Sequence, residues 1–470
     1  MASSPEKLSL REVSEAIHHG ETTSVAVTES LLARIEVVQP RINCFISVDR
    51  DGAIAAAEVA DREIAQGRWR GPLHGVPLAH KDAFDREGQV TTAGTKIFDQ
   101  PAKTTSTVMA RFDTAGAVPL GRLNLDEFAA GGTGANDHFG RCRNPWNIDH
   151  ITGGSSSGSG AAVAARLAYG ALGGDAGGSI RIPAAMCGVV GLKPTFGRVS
   201  RYATAARTWT VDCTGPMCRT AEDCALMLQA IAGHDPKDPT TSQVAIPDYA
   251  AALAGGVRGK HIVRAVGDPF DAIDDDLRAA MDDAVTTFRD LGATINEVPL
   301  PQAPLLNDLQ QILVKCEAAT INGRLIRTRA EDMTFAAISV LQEGFLIPAT
   351  RYLEAISLRS TLLEEFTRDV FGKADILMLP AVTGRAPAIA ETETDDQGAV
   401  ETLFTRAAQF TRFANYLGTP GVSVPFGFSN DGLPLGFQLL GPAFSEDRLL
   451  AAAHALQSVT DFHRRSPPLD

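Results

Sequence analysis

Between Thr152 and Ser179 the chain reads TGGSSSGSGAAVAARLAYGALGGDAGGS, and no other stretch constrains the fold as much. Glycine and serine in such density normally mark a solvated connector. Here they lead into the apolar AAVAARLA, then a second glycine cluster, then PAAMCGVVGL, which is too apolar to sit in water. A linker therefore does not fit. A phosphate cradle fits poorly as well. No G-x-x-x-x-G-K-[ST] pattern occurs, GVRGK at 256–260 lacks its spacing and hydroxyl, and GSGAAV at 158–163 lacks the last glycine of a dinucleotide fingerprint. A helix start after GGSSSGSG could still hold an anion. Gly154, Ser156 and Gly158 fit G-x-S-x-G, but that elbow needs a preceding strand, and NPWNIDHIT is loop-like. His234, His261, His454 and His463 follow it without a context that marks a catalytic base.

The remaining reading is a backbone bent around a nucleophile. After Asp175 come Ala176, Gly177 and Gly178, whose amides are barely shielded, and then Ser179. Glycine permits unusual backbone angles and close approach of a substrate. Amides turned inward there would form an oxyanion hole, each strong donor contributing about 3–4 kcal/mol in acyl transfer. A serine hydroxyl needs a base to take its proton. With no histidine in place, the base would be a lysine desolvated enough to be neutral. Lys81 interrupts the apolar run VPLAHKDAF, so it is either exposed at a strand end or buried for a purpose. In a strand, His80 and Asp82 would face away from it.

Along the chain, 8–38 predicts two helices, with Gly20 ending the first and Thr22 to Ser24 offering caps for the second. A helix is expected at 52–66, a strand at 75–84, a helix then a strand at 105–123, and a helix over 161–168 directly after the Gly/Ser run. Residues 220–233 read as a helix capped by Thr220, 258–300 as strand–helix–strand, and 302–372 as mostly helical. A buried strand is expected at 374–382, a hairpin around Asn430-Asp431-Gly432, and a closing helix at 446–459. ETETDDQGAVE, 391–401, reads as an exposed loop. Alternating strands and helices predict α/β layers on a mixed sheet. No repeat and no convincing linker occur, so one large domain spanning 1–470 is expected.

Charge and cysteine usage narrow the function classes. The 43 basic and 56 acidic side chains give a net charge of −13. That argues against broad nucleic-acid or anionic-membrane binding. MASSPEKLSLREV has no apolar secretory core, and no apolar run reaches the roughly 18 residues of a membrane span. The seven cysteines are scattered without a CxxC pair or a nearby histidine, so no metal site is expected, and they suit a cytoplasmic protein with reduced thiols.

With these residues assembled, a resemblance becomes specific. TGGSSSGSGAAVAA, GGDAGGSIRIPAAMCGVVGLKPTFGRVSR, GVPLAHKD, RNPWN, GTPGVSVPFGF and GLPLGFQLLG together resemble the amidase signature family, over roughly 8–460. The resemblance implies an α/β fold with a large mixed β-sheet core covered by helices on both faces. It implies a Ser–cis-Ser–Lys triad with Ser179 as nucleophile, Ser155 as bridging serine after a cis peptide, and Lys81 as base. Ser156, Asp175 and Arg181 would be supporting residues, and Ala176, Gly177 and Gly178 the oxyanion hole. Gly131, Gly132 and Thr133, in AAGGTGAN, stand where many relatives have MGSSTEN and would line the substrate site. Gly174, Ala176 and Ser157 depart from the commoner residues without removing a catalytic group.

The helical 300–372 would cover the pocket, with Leu306, Leu313, Phe345 or Ile347 as apolar walls or ordinary core. The main expectation is a stand-alone serine amidohydrolase acting on a carboxamide, anilide or carbamate. The alternative is the glutaminase-type A subunit of a tRNA-dependent amidotransferase, which GHDPKDPTTS at 233–242 resembles. That component grips glutamine with an Arg and an Asp, and the matching places here carry Val340 and Ala408. A scaffold without activity is a third option. The expected partner is a small-molecule amide, with no cofactor, no nucleic acid and no membrane, and a homodimer is compatible.

Overall fold

In a computed structural model of the chain, residues 5–205, 207–393 and 405–469 are described. Eleven strands form one mixed sheet in the order β1-β3-β2-β4-β6-β5-β10-β11-β9-β7-β8. In chain order these are β1 (Phe45–Val48), β2 (Pro77–Lys81), β3 (Val118–Leu123), β4 (Gly170–Asp175), β5 (Val190–Lys193) and β6 (Cys213–Cys218). The second half supplies β7 (His261–Val266), β8 (Thr294–Pro299), β9 (Ile376–Pro380), β10 (Gly421–Phe428) and β11 (Pro434–Leu440). β2 runs parallel to both β3 and β4, β7 is parallel to β8 and β9, and the central strands from β4 to β11 pair antiparallel. The expected α/β class with a large mixed sheet is what the chain adopts.

Most expected elements form for the expected reasons. The first two helices are Leu10–His18 and Ser24–Ile42, and the Thr23 hydroxyl caps the second by accepting from Ala26 N. Thr220 caps Ala221–Ile231 in the same way through Asp223 N. β10 and β11 form the hairpin across the Asn-Asp-Gly turn. The segment 391–401 falls largely outside the described residues.

Two elements differ from expectation, both inside the Gly/Ser region. The helix after the run starts at Ser157 and ends at Ala164, so SGSG belongs to the helix. Every residue of it is buried, and it packs so closely that a Cβ on Gly158 would overlap the Cys44 carbonyl and crowd Asn124 N at 2.5 Å. Tertiary packing thus overrides the poor helix propensity of glycine and serine. GALGGD, the second glycine cluster, for which no strand is expected, is β4, paired over its whole length with β6. Its glycines admit neighbours that a side chain would exclude: Ser156 Oγ and Ile180 Cγ1 would each stand 3.0 Å from a Cβ on Gly173.

Candidate active site

β2 and β4 are parallel neighbours, so their C-terminal ends lie at the same edge of the sheet. Lys81 is the last residue of β2, and Asp175 is the last of β4. This is the crevice where open α/β sheets place their sites. Lys81 is buried, and its Nζ donates to Ser155 Oγ at 2.8 Å. Burial pulls the Lys81 ammonium down to about 8, while the nearby carboxylates of Asp126, Asp212 and Asp175 limit the fall. Ser155 follows a cis peptide bond from Gly154, as the resemblance implies. The Ser156 hydroxyl donates to Gly174 O and accepts from Gly174 N, tying the serine loop to β4. Ser156 N also donates to Ser179 O at 3.2 Å.

The turn after Asp175 is held from inside and outside. The Asp175 carboxylate accepts from Gly178 N at 2.6 Å, Ile180 N at 3.2 Å, Asn415 Nδ2 at 3.0 Å, and Arg181 through Nε and Nη2. Burial opposes its charge, but Arg181 together with Lys193 and Asn415 outweighs burial and holds the carboxyl well below the usual range. Arg181, fully buried, also donates to Gln438, Thr411 O and Asn415. From outside, Asn415 Nδ2 donates to Asp175 O at 2.9 Å, Gln310 Nε2 to Ala176 O at 2.6 Å and Thr411 Oγ1 to Gly177 O at 2.7 Å. Three successive carbonyls are thus fixed, and with them the orientation of the following amides. Gly178 has φ +127°, and a Cβ there would overlap Thr411, so the turn requires glycine.

Of the three amides expected to be free, Gly178 N is already bound to Asp175. The amides of Ala176, Gly177 and Ser179 have no partner among the described residues. Lys81, Ser155, Ala176 and Ser179 line one cavity with about 540 Å³ of empty space including its mouth. Leu125, Phe128, Ala129, Arg207 and Asp212 form much of the remaining wall. Gly131, Gly132 and Thr133 are partly exposed and are not among the residues lining this cavity. Thr133 N donates to Asp126, a Cβ on Gly131 would overlap Asp126, and Gly132 Cα packs 2.9 Å from where a Cβ on Gly154 would stand. They therefore support Asp126 and the serine loop. Burial pushes the Asp126 carboxyl up to about 6, against the pull of Lys81 and the amides of Thr133 and Gly134. Leu306 and Leu313 are buried core, and Phe345 is half exposed; they and Ile347 lie outside the cavity wall.

Gln310, Thr411 and Asn415 stand in none of the motifs, and Gln438 falls in GLPLGFQLLG without a role there; their roles follow only from long-range contacts. Arg207 had a faint sign: a cation within the small-residue stretch ATAART, 203–208.

The amidase family profile matches residues 26–450, and the chain belongs to that family. The A subunit of the glutamyl-tRNA(Gln) amidotransferase of Geobacter metallireducens is 40% identical over 481 residues, 97% of this chain and 98% of the relative. A solved structure described as "An unexpected vestigial protein complex reveals the evolutionary origins of an s-triazine catabolic enzyme" has a TM-score of 0.91. It shares 36% identity and covers 96% of this chain and 98% of its own. The solved A subunit of the glutamyl-tRNA(Gln) amidotransferase of Thermotoga maritima is 28% identical, with a TM-score of 0.82, covering 100% and 99% of the two chains.

The chain is an amidase-family enzyme acting on amide C–N bonds, by hydrolysis or amidotransfer. These relatives favour the amidotransferase alternative over a generic stand-alone amidase. They also overturn the expectation of no nucleic-acid partner, since several bear the name of a tRNA amidotransferase component. Net charge sums the whole surface of one chain and says nothing of an assembly in which another chain could hold the RNA. No helix among the described residues is long and apolar enough to cross a membrane.

Proposed function

We propose that the chain cleaves a carboxamide through an acyl-enzyme on Ser179, as the ammonia-releasing A-type component of an amidotransferase. The observation that carries this reading is the 2.8 Å contact of buried Lys81 with Ser155, in the same cavity as Ser179. With Lys81 neutral, the contact reverses direction, and Ser155 Oγ donates to Lys81 Nζ while accepting from Ser179 Oγ. A hydroxyl can do both at once. Ser179 Oγ then bonds to the amide carbon. Its proton passes to Ser155, whose own proton passes to Lys81. Negative charge collects on the former carbonyl oxygen, where the unpartnered amides of Ala176, Gly177 and Ser179 are the available donors. The relay returns a proton to nitrogen, the C–N bond breaks, and ammonia leaves. Water, deprotonated along the same path, attacks the ester carbon and frees the acid and Ser179.

A stand-alone hydrolase of a different amide is the second reading. It is supported by Val340 and Ala408, which replace the charged pair expected for glutamine and lie in apolar clusters, neither of them among the cavity-lining residues. Ammonia release from glutamine and from a panel of carboxamides, anilides and carbamates, with and without partner chains and glutamyl-tRNA(Gln), separates the two. Under either reading, Ser179→Ala is expected to lose about 10⁴-fold or more in kcat while keeping its thermal transition. Retained activity in that variant would refute the acyl-enzyme.

A further inference from the structure

Two guanidinium groups near the nucleophile have no assigned work. Arg207 lines the cavity with Lys81, Ser155 and Ser179. Its Nη1 donates to Ala129 O at 2.9 Å, but its buried Nε has no hydrogen-bond partner. The nearby carboxylate of Asp212 is occupied by the backbone amides of Arg207 and Thr208. Arg412 approaches from the other side of the nucleophile turn, where its Cγ would stand 3.6 Å from a Cβ on Gly177. Among the described residues its guanidinium makes no hydrogen bond and no ion pair. Burial and the charge of Arg207 push Arg412 down to about 10, against the pull of Asp308.

Arg181, equally close to the turn, is saturated by carboxylate and carbonyl acceptors. Arg201, on the cavity wall, is engaged by Thr208 O, Trp209 O and Thr240 Oγ1. Asp212 and Asp126 lie near Arg207 and Asp308 lies near Arg412, but none of these carboxylates bonds to either guanidinium, so their free N–H groups remain available to another acceptor. Guanidinium forks suit carboxylate oxygens in particular.

We propose that Arg207 and Arg412 form an anion subsite that receives a carboxylate borne on the acyl portion of the substrate. The inference rests on the carboxamide-cleaving reading. When the leaving group is ammonia, any recognised carboxylate must belong to the acyl side. The substrate class is then a short acid with a carboxylate a few bonds from the scissile carboxamide, such as a dicarboxylic acid monoamide. Glutamine, which also carries a carboxylate, falls within the class.

The test compares succinamate with butyramide, its neutral analogue of similar size, in wild type, Arg207→Met and Arg412→Met. The ratio of kcat/KM for succinamate over butyramide is expected to favour succinamate in wild type. Each variant should lower that ratio by about 10- to 100-fold, the loss of one charge-assisted contact. Independently of turnover, succinate binding to Ser179→Ala protein is measured by calorimetry. It should weaken by a similar factor when Arg207→Met is added. If butyramide is cleaved as well as succinamate and the variants leave the ratio unchanged, the subsite is refuted while the amidase reading stands. If no amide is cleaved, the amidase reading fails, and succinate binding alone decides the subsite. Absent binding, or binding indifferent to Arg207→Met, refutes it.

Discussion

The turn that carries Ser179, the proposed nucleophile, and the helical segment of residues 303–371, expected to cover the pocket although none of its residues is among the cavity lining, are built on opposite principles. In the turn, Asp175, Arg181, Asn415 and Gln438 saturate one another, and every one of them is buried. The cover instead leaves large apolar side chains in water: Phe335 is 71% exposed and Leu346 is 86% exposed. Geometry is over-determined where bonds are to be broken and loosely determined at the periphery. Buried polar networks of the first kind fix a single arrangement, at the risk of a large penalty if one member is lost.

The largest effect should come from breaking that network. Asp175→Asn leaves the buried Arg181 without its counter-charge and is expected to destabilise the fold by about 3–5 kcal/mol, read by urea denaturation. The same carboxylate gives an acid signature. Its folded pKa lies below its unfolded value, so its contribution is complete above roughly pH 5 and is lost as pH falls below about 4. A wild-type stability curve flat through that window would contradict the assignment. Next comes the all-buried helix behind the turn. Gly158→Ala drives a methyl into Cys44 and Asn124 and should cost about 1–3 kcal/mol by the same assay, although alanine is the better helix former.

A smaller effect is expected from pH acting on the base. With Lys81 as the proposed base, needed neutral and titrating near 8, kcat/KM should rise about tenfold from pH 7 to pH 9 with a midpoint near 8. A profile already flat at pH 7 would mean that another group sets the rate. The smallest effect belongs to the cover, where Leu346→Gln should change stability by less than about 0.5 kcal/mol. A loss of 2 kcal/mol there would erase the contrast between the two regions.

How much of this could be read beforehand differs by residue. Lys81, Ser155 and Ser179 stand in contiguous motifs, so the resemblance marked them directly. Capped helices such as Ala221–Ile231 and the Asn-Asp-Gly hairpin follow from local chemistry. The Gly/Ser helix and the glycine strand β4 did not, because both are stabilised by neighbours that local propensity does not register: Cys44 and Asn124 for one, β6 for the other. The expectation of a free Gly178 amide missed the short bond from that amide to Asp175. Gln310, Thr411 and Asn415 meet the turn across 134 to 240 residues of chain, and nothing local announces such contacts. Arg207 and Arg412 are 205 positions apart and become a pair only in the folded chain.

The bond from Gln310 Nε2 to Ala176 O joins the two contrasted regions, as does that from Arg359 Nη2 to Asn415 O. Gln310 lies on the long helix Ala303–Thr328, whose Asn307 also donates to Gln409 O and whose Glu317 accepts from Trp209 N and Thr210. A peptide unit is rigid, so holding Ala176 O fixes the direction of Gly177 N. The aim of one amide at the reaction centre is therefore recorded in a helix that touches none of the triad. Sequence drift along that helix can recalibrate the chemistry without altering any residue of the signature, and two members of the family with identical motifs need not have identical rates.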